Sequence, residues 1–306
     1  MSKYSTWFVK KLFDIVDVVY RPMQNPKKRL NADGIIVEKD ICYDASLPEE
    51  CCLNVYYKPK EDGAKYPVFI YIHGGGFVAG DKEFRTAHAL WLANQGFFVV
   101  NVNYGFCPKY RLPQLIVQVV GALNTVYDAT EKYNLDLDKV VISGDSAGAY
   151  FSSELIAIST NDGLAERLGA PELKIKFAGA VLNCGIYDLE RALGKRVAFN
   201  LGEKLLDDLV GIKVDEMKDY PLRNELNPIY NVNEKFPPSF ITSAGKDIFC
   251  GGQAESLQEK LAAQGSYFES FVSKKFADNH CFSLNWKSKA ARENNELTEK
   301  FLKRFL

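Results

Sequence analysis

Ser146 stands in the run Gly144-Asp145-Ser146-Ala147-Gly148, between the strand-like residues 139–142 and an apolar stretch, 151–158, that can form a helix. A serine at the tip of a tight strand-to-helix turn has a strained backbone and an exposed hydroxyl. Small residues two positions to either side let the strand and helix cross closely. Chance alone yields Gly-x-Ser-x-Gly in roughly one chain in ten of this composition, so the flanking elements carry the inference. A second run, His73-Gly74-Gly75-Gly76, follows the strand-like residues 68–72. Its chance frequency is about one such chain in a thousand. Consecutive glycines let backbone N–H groups converge on one point, as a developing oxyanion requires. The expected donors are the N–H groups of Gly74, Gly75 and Ala147.

A serine hydroxyl is a weak nucleophile and needs a general base, and histidine suits neutral pH. The chain has three histidines. His73 belongs to the glycine run, where bracing the loop is the expected role. His88 lies within the helical stretch 86–94 and reads as structural or solvated. His280 follows the last strand and precedes the last helix, a position from which a loop can reach Ser146. The base in turn needs a carboxylate to fix its tautomer and stabilise its charged form. Asp247 follows a strand and falls between Ser146 and His280 in the chain. Asp188 and Asp278 are its rivals, and a helix N-cap or a solvated turn is the bland alternative for Asp247. Asp145 is expected to point away from the chemistry.

These side chains need a scaffold, and the pattern supplies one. Strand character at 34–43 and 52–58 suits a hairpin-like start to a sheet. Strands at 68–72, 97–102, 140–143, 177–183, 239–243 and 268–272 then alternate with helices at 86–94, 113–132, 252–264 and 288–304. Such alternation predicts a mostly parallel central sheet with helices on both faces. Residues 189–230 break the alternation, being long, helix-prone at 197–209 and interrupted by Pro221 and Pro228. Compact domains rarely carry such a connection without a use. This segment and residues 1–30 are expected to cap the carboxyl ends of the strands, the edge at which open α/β sheets bind ligands. The chain is otherwise read as one domain, 1–306.

With 306 residues and 47% hydrophobic content, the chain can bury a large core. A formal net charge of −1 gives no electrostatic case for nucleic acid. Seven cysteines without a Cys-x-x-Cys pair point to reduced thiols and a cytoplasmic location. Neither metal-ligand spacing nor a phosphate or dinucleotide fingerprint is present, so no metal and no cofactor is implied. Nothing reads as an integral membrane segment. Tyr4, Phe8, Leu12, Ile15 and Val19 fall on one helical stripe, expected to pack on protein because the opposite face is not strongly basic.

Taken together the motifs resemble those of the hormone-sensitive-lipase-like family of α/β-hydrolase carboxylesterases. The resemblance runs from about Tyr66 to the C-terminus. It rests on His73-Gly74-Gly75-Gly76-Phe77 with Gly80-Asp81, on Gly144-Asp145-Ser146-Ala147-Gly148, on Gly245-x-Asp247 and on His280-x-Phe282. It implies an α/β-hydrolase fold with a helical cap, a Ser146–Asp247–His280 triad, an oxyanion hole at Gly74, Gly75 and Ala147, and hydrolysis of small or aryl carboxylic esters through an acyl-enzyme. Phe77 and Tyr150, beside the two motifs, are expected to contact substrate, and a homodimer is the assembly to test for. The chain departs from the family pattern at 105–109, at Gln118 where an aspartate is common, at Ala149-Tyr150 after the elbow, and at Ile248 after the acid. These departures bear on substrate more than on reaction. Amide or formamide hydrolysis would use the same parts. A ligand-binding member that lost turnover is the alternative from a different class, and retention of all three triad residues argues against it.

Overall fold

A computed structural model describes residues 10, 11, 15, 18–61, 63–194, 201–275 and 277–306. Eight strands form one sheet: β1 (Ile36–Cys42), β2 (Cys52–Tyr57), β3 (Tyr66–Ile72), β4 (Phe98–Val102), β5 (Leu135–Asp145), β6 (Gly179–Asn183), β7 (Ser239–Ala244) and β8 (Phe268–Ser273). Their spatial order is β1-β2-β4-β3-β5-β6-β7-β8. The first three neighbours pair antiparallel, and from β4 onward all pairs are parallel. Inner strands β3 and β4 are buried along their whole length, which explains why they read as continuous apolar runs. Edge strand β1 is half-exposed and carries Glu38, Lys39 and Asp40, charges that discourage edge-to-edge pairing.

Helices cover both faces. The longer ones are α1 (Thr86–Ala93), α2 (Gln114–Asp128), α3 (Ala147–Thr160), α4 (Leu189–Leu193), α5 (Leu201–Val210), α6 (Gln253–Ala263) and α7 (Lys289–Leu302). On one side, Leu115, Val119 and Leu123 of α2 and Leu155 of α3 join Val68, Ile70 and Ile142 in the larger core. On the other, Leu90 of α1 and Phe301 of α7 pack on Phe69, Val99 and Val141. Alternate strand residues therefore serve opposite layers, as the period-two geometry of a strand requires.

Two expected boundaries shift. The helix expected over 113–132 ends at Asp128, with a separate turn at Thr130–Tyr133. Asn134 then adopts a left-handed conformation, φ 53°, and stops the helix. Strand β5 consequently starts at Leu135 and pairs with Tyr66 before a register shift.

Of the N-terminal stripe, Tyr4, Phe8 and Leu12 lie outside the described residues. Ile15 and Val19 are exposed, together with Val18 and Tyr20, so the expected apolar packing face is not formed by these residues. Polar contacts hold the segment instead. The Asn25 side chain donates to the Glu83 carbonyl and accepts from the Ala87 N–H, and Arg85 donates to Gln24. No helix among the described residues is long and apolar enough to cross a membrane.

Register is what aligns the two glycine-rich runs. Ile72 of β3 pairs with Gly144 of β5, so the chain leaves both strands side by side. A Cβ on Gly74 would come 3.1 Å from the Ser146 Cβ, and one on Gly148 would overlap the Ile72 carbonyl oxygen. Gly148→Ala should therefore destabilise the chain by about 1–3 kcal/mol or more, as overpacking does. Gly121, inside α2, meets nothing closer than 3.8 Å. Gly121→Ala should stabilise by roughly 0.5–1 kcal/mol through helix propensity. Urea unfolding of the two variants checks the opposite signs.

Candidate active site

Ser146 is held where a side chain seldom sits, at φ 52° and ψ −117°, between the end of β5 and the start of α3. Its N–H donates to the Asn183 carbonyl at the end of β6, 2.9 Å away. The carboxyl ends of β3, β5, β6 and β7 thus surround one point. His280 arrives there on the loop after β8. Its Nε2 lies 2.9 Å from Ser146 Oγ, and its Nδ1 lies 2.8 Å from Asp247 Oδ2. A carboxylate only accepts, so Nδ1–H donates to Asp247, and in the neutral ring Nε2 is left bare toward the serine hydroxyl.

Asp247 sits in the turn after β7, and its other oxygen accepts the N–H groups of Phe249 and Cys250 at 2.9 and 2.8 Å. Burial raises its pKa, but the facing His280 and the two backbone donors outweigh that and hold it below the usual carboxylate range. The rival carboxylates are committed elsewhere. Asp278 accepts from Ser273 and Ser288. Asp188 caps α4 through the Arg191 N–H. On His280, burial works against the charged ring while the Cys250 sulfur and the Asp247 carboxylate favour it, and its pKa ends well above the ordinary imidazole value.

The other two histidines have the roles of scaffold. Nδ1 of His73 donates to the Gly74 carbonyl at 2.7 Å, and the ring stacks on Tyr104 at 4.6 Å between centroids. Burial lowers its pKa to about 4, so it is neutral at neutral pH. His88 is buried against Trp91 and Trp286, and burial lowers its pKa to about 3. Gly75, at φ 128°, turns the loop back so that its carbonyl accepts from Val78 and Ala79. Gly74 packs against Ser146, and Ala147 opens α3, where the first N–H groups have no partner inside the helix.

The pocket beside Ser146 and His280 is apolar. Ile186, Ala192, Leu193, Gly202, Leu205 and Phe249 line it around a volume of about 60 Å³. Four of these come from the irregular segment after β6, which the sequence flags as unusual without revealing which side chains face inward. None of the described N-terminal residues lines this pocket. A larger, open groove of about 960 Å³ lies at the opposite, amino ends of β6 and β7, away from Ser146. Phe77 and Tyr150, expected to contact substrate, are not among the residues that line this pocket. Both are fully buried behind it, edge to face at 5.4 Å, and Tyr150 Oη donates to the Leu226 carbonyl. Aromatic bulk next to both motifs goes into the core there.

Spacing also hides two clusters of metal-ligand types. Cys184, His280 and Cys281 form one, and Asp247, Cys250 and His280 form the other.

A family model, BD-FAE, matches residues 53–261. The chain belongs to the BD-FAE family. It is 29% identical over 198 residues to LipM, the probable carboxylic ester hydrolase of Mycobacterium tuberculosis, covering 64% of this chain and 44% of that protein. It is 28% identical over 192 residues to the acetyl esterase of Salmonella schwarzengrund, covering 59% and 55%. The chain thus spans about half the length of the curated relatives it matches. Among solved structures, esterase B of Lactobacillus rhamnosis superposes with a TM-score of 0.83 at 22% identity, over 98% of this chain and 96% of that one. The α/β-hydrolase fold is therefore shared over nearly the whole chain. The relatives are ester hydrolases, in accord with the hydrolase that the motifs imply and with the resemblance to the hormone-sensitive-lipase-like group.

Beneath the elbow, Arg85 donates from Nε and Nη2 to both oxygens of Asp145 at 2.8 and 2.7 Å, and Tyr71 Oη adds a third bond at 2.9 Å. Both charged side chains are buried. Burial opposes the ionised form of Asp145, and Arg85 more than offsets it, so its pKa is lowered. Arg85→Met strands the Asp145 charge and should cost about 3–5 kcal/mol. A thermal melt and urea unfolding would show it, and a loss under about 1 kcal/mol would contradict the role assigned to the pair.

Proposed function

We propose that this chain is a serine carboxylesterase acting on small, apolar carboxylic esters. The continuous hydrogen-bonded line from Asp247 through His280 to Ser146 is the observation that carries the proposal. In the first half-reaction Ser146 Oγ attacks the ester carbonyl while His280 Nε2 takes its proton. Asp247 holds the ring in the tautomer that leaves Nε2 free and stabilises the charge it acquires. The N–H groups of Gly74, Gly75 and Ala147 receive the oxyanion. His280 then protonates the leaving alcohol, and water repeats the sequence to release the acid.

The pocket supports the substrate class. Among the described residues, its lining carries no charged side chain besides the triad histidine, so it favours neutral groups. Its volume of about 60 Å³ is small. Sites for drug-sized ligands run to roughly 300–1,000 Å³. A short acyl group fits this account, and the acetyl esterase among the relatives agrees with it. The segment carrying α4 and α5 acts as the cap that closes the acyl side.

Ser146→Ala should lower kcat/KM for a short-chain nitrophenyl ester by about 10⁴-fold or more with little change in melting temperature. Asp247→Asn should cost roughly 10⁴-fold through the wrong His280 tautomer, with Asp188→Asn far milder. If Asp188→Asn were the more damaging change, the acid would be misassigned. Neutral His280 is the active base, and its pKa is raised, so it stays protonated further up the pH scale. The rate should therefore rise with pH through a midpoint above the ordinary value of about 6.5. A pH profile of kcat/KM checks that direction. Leu205→Ala should open the pocket and raise the hexanoate-to-acetate rate ratio by roughly tenfold, the size of a methylene effect. An unchanged ratio would place the acyl chain elsewhere.

A further inference from the structure

Three thiols crowd the histidine on which the triad depends. Cys184 follows β6 and donates its N–H to the Thr242 carbonyl. Cys281 directly follows His280, and Cys250 follows Asp247 in the same turn. The ligand atoms of Cys184, His280 and Cys281 all lie within 4.8 Å of one another. The Cys281 thiol also reaches the Asp145 carboxylate, donating to Oδ2 at 3.9 Å. Cys184 and Cys281 occupy left-handed backbone, at φ 46° and 54°, which residues with a Cβ rarely adopt. The backbone thus aims two sulfurs and one imidazole at a single point.

We propose that Cys184, Cys281 and His280 form a binding site for a soft divalent cation of the Zn²⁺ or Cd²⁺ type, and that filling it takes His280 away from Ser146. Two thiolates and an imidazole are the donor set such ions select. Around a tetrahedral ion with Zn–S near 2.3 Å, ligand atoms stand about 3.8 Å apart, so a cluster already within 4.8 Å closes by about 1 Å at most. Asp247, Cys250 and His280 form a harder set with one sulfur, and its carboxylate is engaged by two backbone N–H groups. Binding is an exchange without redox change. Each thiol releases one proton to the buffer, the ring binds as neutral imidazole, and water completes the coordination. Both ring nitrogens of His280 are already used, one by Asp247 and one by Ser146, so coordination must break one of those bonds. Cys281 is partly exposed, which provides entry.

The inhibitory half rests on His280 being the base in the proposed esterase, whereas the binding half does not. The test is a titration of the reduced, EDTA-dialysed chain with Cd²⁺, read by ultraviolet thiolate-to-metal charge-transfer absorption. One equivalent should saturate the wild type. Cys184→Ser and Cys281→Ser should each weaken binding at least about tenfold, and Cys250→Ser should leave it intact. Either of the first two variants suffices should the other fail to fold. In parallel, fluorophosphonate labelling of Ser146 should slow as the absorption rises and recover with EDTA. Absence of the band, or a band unchanged in both variants, overturns the site. A band without slower labelling overturns the displacement of His280. Failure of the esterase reading shows separately, as no labelling of the metal-free protein, and leaves the absorption titration to decide the site.

Discussion

A buried ion pair lies one residue from Ser146, the proposed nucleophile, and the elbow depends on it. Ser146 is held in a backbone conformation that costs free energy, about 1–3 kcal/mol for residues of this kind. Such strain persists only where the surroundings over-determine it. Arg85 grips both oxygens of Asp145, and Tyr71 from β3 adds a third bond, so the peptide just before Ser146 cannot relax. From above, Gly74 packs on Ser146 with no room for a side chain, and from behind Gly148 packs on the Ile72 carbonyl. The same arginine donates to Gln24, which ties that part of the N-terminal segment to the foundation of the elbow.

Sheet register converts this local constraint into a site. Asp145 pairs with Asn183, and Ala244 with Ser273, so β5 to β8 end along one line. Asp247 and His280 then leave neighbouring strands and meet over Ser146. Residues where the chain departs from the hormone-sensitive-lipase-like pattern have visible structural work nearby. The Gln118 side-chain oxygen accepts the Gly105 N–H, closing the loop that the departure at 105–109 reshapes. Tyr150 bonds to Leu226 and links α3 to the segment above the pocket. Ile248 is exposed and disturbs nothing.

The sequence made legible what lies contiguous along the chain. The strand–glycine–serine–helix run and the glycine loop are local, and each glycine there answers to a backbone contact. Alternation of strands and helices conveyed the parallel sheet, since inner strands are apolar along their length. His280 emerged by elimination among three histidines. What depends on tertiary approach was hidden. Arg85 is one of many basic residues until Asp145 is placed beside it. Cys184, Cys250 and Cys281 come from three loops and have no motif spacing. Phe77 and Tyr150 are buried, and adjacency to a motif says nothing about which face of a turn a ring takes. The stripe of Ile15 and Val19 misled because helical periodicity does not guarantee a surface to pack against.

The central claim is that acyl groups pass through Ser146. Acid quenching during turnover of nitrophenyl acetate, followed by peptide mass spectrometry, tests it directly. The account requires an acetyl group on the peptide containing Ser146, localised to that serine, with a rapid release of nitrophenol matching the amount of acetyl-enzyme. Sustained turnover with Ser146 unmodified, or acetyl found on another residue, would contradict it.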